Sequence, residues 1–90
     1  MGLGRTRHWV ASASYRKTIA VLVAARHASG LSQKAVADLL GKPPSLVGKI
    51  ETCERRVDLV EYIAIARAVR ADPVELLKRI TEALPDKLDF

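Results

Sequence analysis

The sequence holds 90 residues, enough for one small domain. It is 49% hydrophobic and only 4% aromatic, a balance dominated by Ala, Val, Leu and Ile that suits close-packed helices. Fifteen Lys and Arg against ten Asp and Glu give a formal net charge of +5, and Cys53 is the single cysteine, which excludes an intrachain disulfide and a Cys/His metal cluster.

The charge is uneven. Residues 1–30 carry Arg5, Arg7, Arg16, Lys17 and Arg26 with no acid, whereas residues 61–90 carry more acids than bases. A basic front half points to an anionic partner. The lone His8 and His27 lack metal-ligand spacing, so neither metal nor cofactor is expected. The longest apolar run, IAVLVAA at 19–25, is far short of the ~20 residues that span a bilayer. It also lacks the flanks of a signal peptide, so a cytoplasmic protein without a membrane partner is expected. A core this small is marginal alone, which favours a homodimer.

Residues 1–13 read as a basic, mobile arm, with Trp9 packing back on the domain. Arg5 and Arg7 could enter a minor groove from such an arm, although a disordered terminus is the plainer reading. The first helix is expected over 15–29, capped by Ser14, with Ile19, Leu22, Val23 and Ala25 on its apolar face and Gly30 closing it. Ser32 caps a second helix whose stripe is Ala35, Val36, Leu39 and Leu40, and Gly41 stops it. Pro43 and Pro44 suit only the first turn of a third helix, where a missing N–H is harmless. Leu46, Val47 and Ile50 then recur at helical spacing, and the stretch up to Val57 is polar. Asp58 caps a fourth helix, apolar on two sides through Val60, Ile63, Ala64 and Ala68 and so expected to be central. Asp72 caps and Pro73 opens a fifth amphipathic helix that Pro85 ends, leaving 85–90 as a short tail. No repeat, strand-like alternation or low-complexity segment interrupts this order. Two helices joined at Gly41 by a tight turn match a helix-turn-helix, in which one helix crosses the phosphates and the next enters the major groove.

The motifs G-L-S-Q-K-x-V-A-x-L-L-G, S-x-V-x-K-I-E, E-R-R-x-D-x-x-E-x-x-x-I-A-R-A and D-P-V-E-L-L follow one another from Gly30 to Leu77, within a similarity that covers about Tyr15 to Ile80. Together they resemble the Xre/Cro-type helix-turn-helix family, the lambda-repressor-like DNA-binding domain. The resemblance implies an all-α, five-helix domain over 14–84. It also implies that Pro44, Ser45 and Lys49 face base edges, and that Gln33, Lys34, Lys42, Arg55 and Arg56 hold phosphates. The chemistry fits those roles. Lys49 can donate to guanine O6 or N7, and Ser45 can donate or accept. The others would position rather than specify, and an anion at the helix start near Gln33 is favoured by the helix dipole.

Three residues depart from the family pattern. Pro44 replaces a frequent glutamine and can touch only a thymine methyl. Gly48 costs a helix roughly 0.5–1 kcal/mol relative to alanine. Cys53 stands where a glycine often closes the third helix; a left-handed cysteine would cost roughly 1 kcal/mol, which points to a different turn. Against each functional role stands a plainer one. Lys49 could be a solvated lysine, Arg55 and Arg56 could pair with Glu51, Glu54 or Asp58, and Glu51 reads as a structural partner for an arginine. Val36, Ala37, Leu40, Val47 and Ile50 read as core. No nucleophile–base set, phosphate-cradling glycine loop or carboxylate pair suggests an enzyme.

The expected function is a small sequence-specific transcriptional regulator that binds double-stranded DNA as a homodimer. It would be controlled by its abundance or by a partner protein, like the small regulators of phages, mobile elements and toxin–antitoxin operons. Val74, Leu77, Ile80, Leu84, Leu88 and Phe90 offer spare apolar surface for the dimer or another partner. The alternative is a protein-binding antiactivator or antirepressor that captures another transcription factor, motivated by Pro44, Gly48 and Cys53, which thin out the reading surface.

Overall fold

The structure, a computed structural model, describes residues 12–90. The expectations for Arg5, Arg7 and Trp9 lie outside the described residues. Five helices follow in order: α1 (Ala13–Ser29), α2 (Gln33–Leu40), α3 (Pro44–Glu51), α4 (Leu59–Ala68) and α5 (Pro73–Ala83). No strand occurs among the described residues. α2 packs on α3 and α4, and α1 packs on α3 and α5.

Local chemistry sets most boundaries. The Ser32 hydroxyl accepts the Ala35 N–H and starts α2. Pro44 occupies the first turn of α3. Asp58 and Glu61 form a reciprocal capping box at the start of α4, and the Asp72 carboxylate takes the Val74 N–H at the start of α5. The start of α1 differs from the expected Ser14: Ser12 is the cap, and its hydroxyl accepts the Tyr15 N–H. Ser14 is instead buried. Its hydroxyl accepts the Asp89 N–H, while the Asp89 carboxylate accepts the N–H groups of Ser14 at 2.9 Å and Ala13 at 3.0 Å. The last residues of the chain thus satisfy the open amides of its first helix.

Three helices end in the same way. After α2 the N–H of Gly41 bonds Asp38 and that of Lys42 bonds Ala37; after α3 Cys53 bonds Ile50 and Glu54 bonds Lys49; after α4 Arg70 bonds Arg67 and Ala71 bonds Ala66. These paired bonds need a left-handed residue, and Gly41 (φ 67°), Cys53 (φ 61°) and Arg70 (φ 62°) supply it. The turn after α3 therefore keeps the glycine-type geometry, contrary to the expectation drawn from Cys53.

The core is contiguous and almost wholly aliphatic. Val36, Ala37, Val47, Ile50, Ala66 and Leu76 are the deepest residues, with Ile19, Leu22, Ile65 and Ile80 around them. Leu40, expected in the core, is half-buried at its margin, and Leu39 is exposed. α4 buries Tyr62, Ile65 and Ala66, with Ile63 and Ala68 packed partly against the core beside them, whereas Val60 is 74% exposed. Ile80, expected on the partner surface, is 4% exposed and belongs to the core with Leu76. Two tyrosines tie elements together through their hydroxyls. Tyr15 accepts the Val57 N–H, and Tyr62 donates to the Pro73 carbonyl.

Candidate nucleic-acid interface

The α2–α3 unit is fixed by a polar network beneath it. Arg26 of α1 meets Glu51 of α3 at 2.6 Å through Nε and 2.9 Å through Nη2, and its Nη1 donates to the Leu31 carbonyl. The two side chains are 12% and 11% exposed. Burial pushes the Glu51 carboxyl up, but hydrogen bonds from Arg26 and Gln33, with the charge of Arg26, outweigh it and hold the group below the usual range. Glu51 is thus a structural partner for an arginine, as its sequence context suggests.

Gln33 joins this network. Its Nε2 donates to Glu51 at 2.8 Å, and its Oε1 lies 3.4 Å from where a Cβ at Gly48 would stand. A Cβ at position 48 would meet this amide in ordinary van der Waals contact, so α3 would accommodate one there. Bonded to Glu51, the Gln33 side chain serves the frame. Ser32 takes the Ala35 N–H by side chain and the Val36 N–H by carbonyl. Gln33 and Lys34 are the first two residues of α2, where backbone N–H groups lack an intrahelical acceptor. The Lys34 ammonium bonds Asp38 at 2.9 Å in an exposed pair that holds it weakly.

The other predicted residues divide into two groups. Lys42, Ser45, Lys49 and Arg55 line one open groove between α3 and the start of α4, beside Pro43 and Leu46. Lys42 and Lys49 are exposed and form no ion pair among the described residues. Pro44 is exposed at the first turn of α3. Arg56 lies elsewhere, with its guanidinium 5.0 Å from the centre of the Tyr15 ring.

The sequence reading missed Glu61 as a member of this site. It lines the groove and grips Arg55 bidentately, at 2.9 Å to Nη1 and 2.8 Å to Nη2. Arg55 Nη1 also donates to the Arg56 carbonyl. Hydrogen bonds from Arg55 and from the Asp58 N–H hold the Glu61 carboxyl below its ordinary range, so it is charged at neutral pH. The partner of Arg55 is therefore neither Glu51, Glu54 nor Asp58. The capping pattern Asp58-x-x-Glu61 was the available signal, because it fixes Glu61 on the side of α4 that follows Arg55.

A helix-turn-helix domain family model matches residues 20–78, which includes α2, α3 and α4. A solved structure of an XRE-family like protein from Pseudomonas syringae pv. tomato str. DC3000 is 35% identical, with a TM-score of 0.76 over 94% of this chain and 100% of that one. A comparison with curated proteins found no match. The chain belongs to the helix-turn-helix family of Xre type, a family of DNA-binding regulators rather than of enzymes. No described helix is long and apolar enough to cross a membrane.

Proposed function

We propose that this protein is a sequence-specific transcriptional regulator that lays α3 in the major groove of a short operator. The observation that carries the reading is the single groove in which Lys42, Ser45, Lys49 and Arg55 converge between α3 and the start of α4. Lys49 and Ser45 present the donors that base edges require, with Pro44 able to touch a thymine methyl. The first-turn amides of Gln33 and Lys34 anchor one phosphate, and Lys42 and Arg55 neutralise others, which sets register without reading sequence. The protein acts as a homodimer on paired half-sites one helical turn apart. Val74 and Leu77 of α5, with Leu88 and Phe90, supply exposed apolar surface for pairing, while Leu84 is largely spent against the core. Nothing in the site favours the alternative of capturing another transcription factor.

The test is selection from a random duplex library with the wild type and with Lys49→Ala. The wild type should enrich a two-fold symmetric motif, and the variant should lose preference at one position of each half-site. Absence of any enriched motif would refute sequence-specific reading.

A further inference from the structure

The groove holds one acid among its cations, and DNA binding as described above has no use for it. Glu61 lies beside Lys42, Lys49 and Arg55, and both its oxygens engage Arg55. The two ion pairs of comparable geometry differ sharply in exposure. Arg26 and Glu51 are 12% and 11% exposed, whereas Arg55 and Glu61 are 42% and 26% exposed. The second pair is reached by water on both partners, so another anion can approach Arg55 and compete for it. The first is more enclosed and is held by a further bond from Gln33 to Glu51, so a competing anion reaches it less easily.

We propose that Glu61 is a built-in counter-ion that a DNA phosphate displaces from Arg55, and that it holds down affinity for the phosphate backbone. The inference rests on the DNA-binding reading. Glu61 cannot follow Arg55 out of the groove. Its backbone belongs to the first turn of α4, and its Oε1 accepts the Asp58 N–H at 3.0 Å. The carboxylate therefore stays facing the strand whose phosphate takes Arg55. It subtracts one charge from the sum that attracts any duplex, whatever its sequence. Contacts from Ser45 and Lys49 to bases then make up a larger share of the binding, and occupancy of non-target DNA is reduced.

Glu61→Gln isolates the charge, because glutamine serves equally in a capping box. Fluorescence anisotropy on the selected operator and on a scrambled duplex, over a range of salt, measures the effect. Glu61→Gln should bind both duplexes about three- to tenfold more tightly at low salt, with a slope of log affinity against log salt steeper by roughly 0.9. Glu82→Gln on α5 removes the same charge far from the groove and should change affinity less than about twofold. Unchanged or weaker binding by Glu61→Gln, with wild type binding normally, overturns the proposal and leaves the DNA reading standing. Failure of the wild type to bind any duplex overturns both. A second readout uses the unmodified protein, should Glu61→Gln fold poorly: the side-chain carboxyl carbon resonance of Glu61 should shift when operator is added. A resonance unmoved at saturation overturns the exchange of partners.

Discussion

Arg70 and Cys53 hold left-handed backbone conformations that their side chains oppose, at φ 62° and 61°. Both close helices through paired carbonyl bonds that demand that conformation. Arg70→Gly should stabilise the protein by roughly 1 kcal/mol, raising the melting temperature by about 4–8 °C for a domain of this size. Cys53→Gly should gain less, because its thiol packs against the core and that contact would be lost. Thermal melts followed by circular dichroism check both. The position of Cys53 after α3 was readable from the motif; its conformation was misjudged because a cost of about 1 kcal/mol looked prohibitive at the residue scale. The satisfied carbonyls of Lys49 and Ile50 outweigh it. At the same scale, Lys49 and Arg55 should fail differently. Lys49→Ala should relax sequence preference, whereas Arg55→Ala should weaken all duplexes alike and flatten the salt dependence, both visible in binding isotherms.

Between elements, charge and hydrogen bonding hold what the small core alone would hold loosely. Arg26 and Glu51 join α1 to α3, and removing either partner leaves a part-buried charge without its counter-ion. The pair is part-buried, so Arg26→Ala should cost about 1–3 kcal/mol, measured by urea denaturation. That is a large fraction of the stability of any small domain. The Glu51 carboxyl lies below its ordinary value of 4.5, so its contribution is complete above that pH and is lost as pH falls through the folded value. The Asp89 carboxyl, lowered by its bonds to Ser14 and Ala13 from 3.8, has the same sign. Acid unfolding should accordingly begin below about pH 4.5, and Arg26→Ala should flatten that limb of the stability curve. Asp89→Ala should speed hydrogen exchange at the Ala13 and Ser14 amides without touching the rest of the fold. Caps such as Ser32, Asp58 and Asp72 were legible because each acts within three residues. The Asp89 contact spans 75 residues and leaves no local trace. Ile80 and Leu77 look equivalent in sequence, and only the docking of α5 on α1 and α4 decides which one is buried.

For the whole molecule, α3 and the groove beside α4 form the surface proposed to meet DNA. The helix-turn-helix architecture was legible from motif spacing; the acid that moderates its basic face was not, because Glu61 reads first as a cap. Binding of duplex DNA by this face, through phosphates and base edges together, is tested by fluorescence anisotropy of the pure protein on a labelled duplex from its own promoter region and on a scrambled one, at low and near-physiological salt. Affinity should fall with salt by roughly 0.9 log units per log salt for each phosphate contact, and a preference for the promoter duplex should survive at the higher salt. No binding, or equal and weak binding to both duplexes that vanishes with salt, would contradict the DNA-binding reading.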